Sequence, residues 1–403
     1  MSRRGWLWIA FVVIHVAVAA LGFVLPNIPM GDVYLVYEPW ARDAVGGGGI
    51  PGVSWQWVYP QLAIVPMVLA LGFAWIAGSY TIGWAILVTL ADALAFALLV
   101  GRGRSKGRTL AAIFWLAFIL LLGPVGMYRL DGFTVPLALA GCLWLAGRPL
   151  IASLLLSAAT WMKVWPAALL AAAVIAMRRR LVVVAGALIV TGITVVAVVI
   201  AGGGSHVFGF VAGQTGRGLQ VEAPVSAFFL WQVVAGAPGA LVYYDRDILT
   251  FQVAGAGVDA VIAVMTPLLA IAVLGVAALG AVKAWRGAGF AALFPPLAFS
   301  LVLAFIVFNK VGSPQFLTWL VAPIAMGLVF DRHRWSWPAA GALAAALLTQ
   351  LVYPVLYNAV ILADSLAVSV LTLRNLVMIA LFAWAVVRLA RVPGRSRHAS
   401  LVI

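Results

Sequence analysis

Cysteine occurs once in these 403 residues, at position 142, and charge is nearly as scarce, with Asp, Glu, Lys and Arg at 9% of the chain. A lone cysteine in an apolar run excludes both a disulfide scaffold and a thiolate metal cluster. His206 has no second histidine at metal-ligand spacing, so it starts no zinc motif. The glycine runs at 46–49 and 202–204 lack the context of a phosphate loop and read as flexible turns. Internal repeats, a soluble domain and a linker are missing too, so 1–403 reads as one domain.

What the chain has instead is apolar surface. Hydrophobic residues make up 65% of it, more than a soluble core needs. The fold class is therefore an all-α polytopic membrane protein, with about ten to twelve membrane segments. Segment 6–23 is too long and apolar for a cleaved leader and is read as a retained helix. A net charge of +14 would suggest nucleic acid in a soluble protein. Here it is assigned to loops facing anionic membrane lipid, with no nucleic-acid partner.

Basic residues cluster at 3–4, 102–108, 148, 178–180, 283–286, 332–334 and 388–397. The positive-inside rule places these clusters, and both termini, in the cytoplasm. One crossing then puts Asp32 outside, in a first external loop (26–79) that carries juxtamembrane helices. Two crossings within 59–100 would carry the 102–108 cluster outside. Segment 59–78, with Pro60 and Pro66, is therefore expected to lie in or dip into the outer leaflet, and 80–100 to cross. Helices at 109–125 and 133–145 enclose an external turn. Residues 149–177 are too few for two spans of about 20 residues each. They predict a short helical hairpin whose tip, 161–166, stops within or near the outer leaflet. After 181–201 comes a large external loop, 202–255, with an interfacial helix at 225–235. Further helices are expected near 256–280, 288–308, 316–330, 337–357 and 369–388.

On this topology most of the 11 acids are external, and the working face is expected there. From the stretch 29–43 into the next residue, Val33, Tyr37, Trp40 and Ala44 share a face, and Glu38 and Arg42 form an i,i+4 pair. That describes an amphipathic surface helix ended by glycines. Asp32 precedes its first turn, either as an N-cap or as the chemical centre. Arg129 and Asp131 read either as a pair with each other, or with Asp131 orienting an acceptor hydroxyl or a catalytic group. Lys163, at the tip of a broken hairpin, would be costly without an anion, for which a phosphate is a candidate. Lys310 either repeats that pattern or snorkels to the interface. Arg217 and Glu222 read as a loop pair or a sugar clamp. His15 is expected to be packed and hydrogen-bonded, and Asp92 to pair with a neighbouring helix.

Four motifs, in order, resemble membrane glycosyltransferases of the GT-C fold: Gly31-Asp32-Val33-Tyr34, Tyr59-Pro60-Gln61-Leu62-Ala63, Thr160-Trp161-Met162-Lys163-Val164-Trp165-Pro166 and Lys310-Val311-Gly312-Ser313-Pro314-Gln315-Phe316. The likeness runs through residues 30–320 and is nearest to glycosyltransferase family 87. That family includes actinobacterial polyprenyl-phosphate-mannose-dependent mannosyltransferases acting on phosphatidylinositol mannosides. Many members read Gly-Gln before the fifth apolar segment. This chain has Leu130-Asp131-Gly132-Phe133, a departure that bears on acceptor identity.

The resemblance implies mannose transfer from polyprenyl-phosphate-mannose to a glycolipid acceptor on the external face of the plasma membrane. Asp32 takes the place of the family's general base, with Lys163, Lys310 and Arg217 near the donor phosphate. Tyr34, Tyr37, Arg129, Asp131, Glu222 and Gln315 are assigned to the acceptor or to support of the catalytic group. In such chemistry a carboxylate removes the hydroxyl proton as the oxygen attacks the anomeric carbon. Phosphate leaves from the opposite face, so a β-linked donor gives an α-glycoside. No cofactor is implied. Two lysines and an arginine can supply the charge without a metal, although a second external carboxylate leaves one open. With no nucleotide-sugar fold in the chain, a donor delivered through the bilayer fits better than a soluble one. The rival class is a transporter or flippase of a lipid-linked sugar, which would show internal repeats and polar groups at the midplane. A structural subunit of a cell-envelope complex would have no use for an isolated Lys163.

Overall fold

In hydrocarbon every backbone N–H and C=O must find its partner within the chain, so apolar segments become helices. The computed structural model describes residues 2–212 and 217–394, mostly as helix. The calls on 213–216 and on the basic tail beyond 394 lie outside the described residues. Seven of the described helices are long and apolar enough to cross a membrane, and the chain is a multi-pass membrane protein.

Helix α1 (Arg3–Val24) ends in a turn that holds Asn27 and Ile28 in the left-handed region (φ 58° and 49°). A π-helical turn, Val33–Tyr37, runs into α2 (Glu38–Gly46), which stops at Gly47 (φ 84°). Glu38 and Arg42 form the expected pair, at 2.6 Å. Helix α3 (Ile64–Ala77) has 14 residues, or about 21 Å of length, short of a hydrocarbon core of about 30 Å. It turns through Gly78 into α4 (Tyr80–Val100). Gly83 lets the two backbones touch, since a Cβ there would lie 2.6 Å from Ala74 N. Inside the bundle His15 of α1 meets Asp92 of α4 (Nε2–Oδ2 3.0 Å), the pairing expected for Asp92.

Helices α5 (Lys106–Leu122), α6 (Pro124–Met127) and α7 (Asp131–Trp144) follow. The hairpin expected at 149–177 is present as α8 (Pro149–Met162) and α9 (Ala167–Ala176), with Lys163 extended between them (φ −154°, ψ 135°). Helix α10 (Arg180–Ile200) leads into the 202–255 segment, which holds α11 (Gly209–Ala212) and α12 (Ser226–Val234). That segment also departs from the all-α expectation. Strands β1 (Leu241–Asp245) and β2 (Thr250–Ala254) pair antiparallel, from Leu241 opposite Ala254 to Asp245 opposite Thr250. Their tyrosines, phenylalanine, threonine and valines favour a pleated surface, and Asp245 closes the turn by accepting from the Asp247 N–H at 3.0 Å.

Helices α13 (Val258–Trp285), α14 (Phe290–Val307), α15 (Val321–Gln350), α16 (Tyr357–Ile361) and α17 (Ser365–Ala390) complete the chain. Helix α15 is two legs. Asp331 leaves helical geometry (φ −148°, ψ 70°), and the chain bends there so that Trp335 covers Gly327. Helix α14 is 78% buried over its span against 11% for α13, which puts α14 at the bundle centre and α13 on its lipid-facing side. Four further apolar segments, at 61–77, 131–144, 149–162 and 167–176, are shorter than a full span.

Candidate functional site

The turn between α1 and α2 brings Asp32 to the turn before α7. Asp32 is no N-cap: its side chain caps nothing and instead meets Arg129 (Oδ2–Nε 3.3 Å). Arg129 is buried among carbonyls, donating to Pro29 O at 3.1 Å and Tyr128 O at 3.3 Å. Burial alone would push its guanidinium down, but Asp32, Tyr353, Tyr37 and Tyr59 more than offset that and raise it above its ordinary value. Tyr37 is buried, and its hydroxyl accepts the Leu130 N–H at 3.3 Å, tying the π turn to the same place.

Asp131 does not pair with Arg129, as one reading of the sequence allowed. It pairs with Lys163, across the break between α8 and α9. Both ends of that bridge suit their helices, a carboxylate in the first turn of α7 and an ammonium at the end of α8. The Trp319 indole donates to the other Asp131 oxygen at 2.6 Å. Trp319 stacks on Trp165 (5.7 Å, 7°), whose own indole donates to Thr134 at 3.1 Å. Asp131 is thus completely buried with both oxygens engaged. The anion that meets Lys163 is the protein's own.

Lys163 also borders a cavity of about 410 Å³, together with Lys310 and Asn309. Tyr59, Trp165, Phe305, Phe308, Phe316 and Met265 supply much of its apolar wall. The Lys163 ammonium lies 5.8 Å from the Tyr59 ring centre and 5.7 Å from that of Phe316. Burial raises the Tyr59 hydroxyl above its ordinary pKa, against the pull of Lys163. Burial also lowers Lys310 below its ordinary value.

Lys310 is placed by the long 202–255 segment. Gln220 donates its N–H to the Lys310 carbonyl at 3.0 Å and accepts from Gly312 N at 3.2 Å. Gly312 presses so closely on this segment that a Cβ would lie 2.2 Å from the Glu222 carbonyl carbon. Arg217 and Glu222 form no ion pair. Arg217 is half-buried, with burial lowering its pKa and Tyr59 opposing the shift. Glu222 is buried, faces Tyr357, and offers its carbonyl to Arg374 of α17 at 3.0 Å. Tyr34 and Gln315 are half-buried, and the Gln315 carbonyl accepts from the Thr318 hydroxyl at 2.7 Å.

The structure therefore brings Asp32, Arg129 and Tyr37 together, joins Asp131 to Lys163, and sets Lys163 and Lys310 on one cavity. It turns Glu222 toward α16 and α17 instead. Tyr353 and Trp319 were not singled out from sequence. A Tyr-Pro pair at 353–354, like that at 59–60, was the one local signal for Tyr353. No family model matches the chain, and no curated protein or solved structure matches it either.

Proposed function

We propose that this chain is a membrane glycosyltransferase of the GT-C type, moving a sugar, by its resemblance mannose, from a polyprenyl phosphate to a glycolipid acceptor with inversion. The observation that carries this reading is the cavity of about 410 Å³, apolar over most of its wall and bordered by Lys163 and Lys310. A cavity of that kind suits a hydrocarbon chain that ends in an anion. Cations at such a low-dielectric wall are worth more than in water, and on this reading they offset the charge that develops on the leaving phosphate. An anion beside Lys310 would also offset the burial that disfavours its charge.

A base must offer an oxygen to the acceptor hydroxyl. Asp131 has none to offer, being fully buried between Lys163 and Trp319. Asp32 keeps 38% of its side chain exposed and takes the role. On this reading the basic clusters face the cytoplasm under the positive-inside rule, and Asp32, one crossing on from the first of them, works on the external face.

Purified protein is expected to transfer mannose from polyprenyl-phosphate-mannose to a mannosylated lipid. Loss of a general base typically costs a factor of about 10² to 10⁴, so Asp32→Asn should lose transfer by at least that while its melting temperature holds. Turnover like wild type in Asp32→Asn would sink the base assignment. A protein that moves the lipid-linked sugar across vesicles without forming product would favour the transporter reading.

A further inference from the structure

The cavity and Asp32 are two separate places. Lys163, Lys310 and Tyr59 line the cavity, and Asp32 is not among the described residues that do. A run of aromatic rings joins the two. Tyr37, in the turn that follows Asp32, lies against Trp40 of α2 at 6.4 Å and 28°. Trp40, Trp57 and Tyr59 then pack mutually edge to face, with ring centres 5.3, 5.6 and 6.2 Å apart. Tyr59 ends the run on the cavity wall, and its hydroxyl lies within electrostatic reach of both Asp32 and Lys163.

Packing alone does not account for that ring. Trp57 is buried, but Tyr59 is only half-buried, and the Lys163 ammonium lies over its face, 5.8 Å from the ring centre. Trp40 and Trp57 brace it from nearly perpendicular planes, at 81° and 89°. The chain that carries it is fixed as well. Gln61, two residues on, is buried and donates to the carbonyls of His206 and Val207 at 3.1 and 3.0 Å. A site is precise when its supporting groups are locked in this way.

A sugar whose phosphate sits at the lysines must reach toward Asp32 for its anomeric carbon to meet a hydroxyl activated there. Tyr59 is the ring common to both ends. The face of an aromatic ring is apolar and carries negative charge density, which suits the C–H groups of a pyranose, polarised by their neighbouring oxygens.

We infer that the Tyr59 ring is the sugar-binding platform of the site, taking the C–H groups of the donor's pyranose between the lysines and Asp32. The inference rests on the proposed reading of the site as that of a polyprenyl-phosphate-sugar transferase. Tyr59 then serves the sugar and the lysines the phosphate, so the two parts of the donor can be read apart.

The test compares the binding of two lipids to the full chain in lipid nanodiscs. Farnesyl phosphate mannose and farnesyl phosphate differ in the sugar alone. Tyr59→Leu should weaken the mannosyl lipid about tenfold, through the lost stacking contact and its area, and leave the Kd of farnesyl phosphate within about twofold. A merely structural role, in which the wall slumps, would weaken both alike. Tyr59→Phe keeps the ring and should recover the mannosyl lipid to within about threefold of wild type. A Tyr59→Leu chain that loses both lipids alike, or neither, overturns the inference, as does a Tyr59→Phe chain as weak as Tyr59→Leu. If Tyr59→Leu does not fold, the wild-type chain made with ring-deuterated tyrosine takes its place. Tyr59 is the tyrosine on the cavity wall, so saturation transfer from aromatic protons to the mannose C–H protons should drop on deuteration. Transfer that deuteration leaves unchanged overturns the inference there. The two failures are distinct. Wild type that binds neither lipid ends the transferase reading and the platform with it. Wild type that binds both and transfers mannose, beside a Tyr59→Leu chain with undiminished affinity, ends only the role of Tyr59.

Discussion

Asp32 and Asp131 carry the same side chain into opposite circumstances. Asp32 lies beside the Arg129 guanidinium and keeps 38% of its side chain exposed, whereas Asp131 is fully buried between an ammonium and an indole. Breaking a buried pair from one side leaves an uncompensated charge, at about 3–5 kcal/mol. Lys163→Met strands the Asp131 carboxylate in the interior and should cost that much. Asp131→Asn strands Lys163 beside the cavity, where water can reach it, and should cost less. Thermal melts of the two variants in detergent check the order, and equal losses would count against it. Both residues stood out in the sequence, yet their pairing did not. Arg129 and Asp131 are two residues apart and invited a local match. The start of α7 and the break after Met162 set the actual crosswise pairs, and those are tertiary facts.

At the scale of elements, the 217–224 and 309–313 segments act as one body. The Val311-Gly312-Ser313 motif was visible as a string, but its glycine owes its place to the Glu222 backbone lying against it. Glu222 is the titratable group of that junction. Burial raises its carboxyl above the ordinary 4.5, with backbone hydrogen bonding, Tyr357 and Arg374 offsetting only part of the effect. Between the ordinary and the raised value the folded chain keeps a proton that the unfolded chain has released. Its stabilising contribution is therefore complete below the ordinary value and is lost as pH rises through the raised one. Glu222→Gln, neutral throughout, should lessen the fall in melting temperature from acidic to mildly alkaline buffer. An unchanged slope would show that Glu222 does not titrate in that window. The β1–β2 hairpin beside it escaped the sequence reading because a pattern this short carries little signal beside long apolar runs.

For the whole molecule, the distribution of basic residues predicts an orientation that labelling can test. Asp43 is exposed at the surface of α2, and the native Cys142 is buried and should give little background. Asp43→Cys is expected to react with a membrane-impermeant maleimide in intact cells. Reaction only after permeabilisation would reverse the orientation and, with it, the side on which transfer is proposed.

Sequence alone determined the multi-pass helical architecture, the short hairpin at 149–177 and the bend between the two legs of α15. It could do so because hydrocarbon thickness and backbone hydrogen bonding act on each segment separately, through its own length and composition. Tertiary structure decided which charges meet. Asp32 became a partner of Arg129 rather than a helix cap, Lys163 turned to Asp131 as well as to the cavity, and Tyr353 arrived at Arg129 from the far end of the chain. Pairing depends on which turns the packed helices bring side by side, and no single segment carries that information.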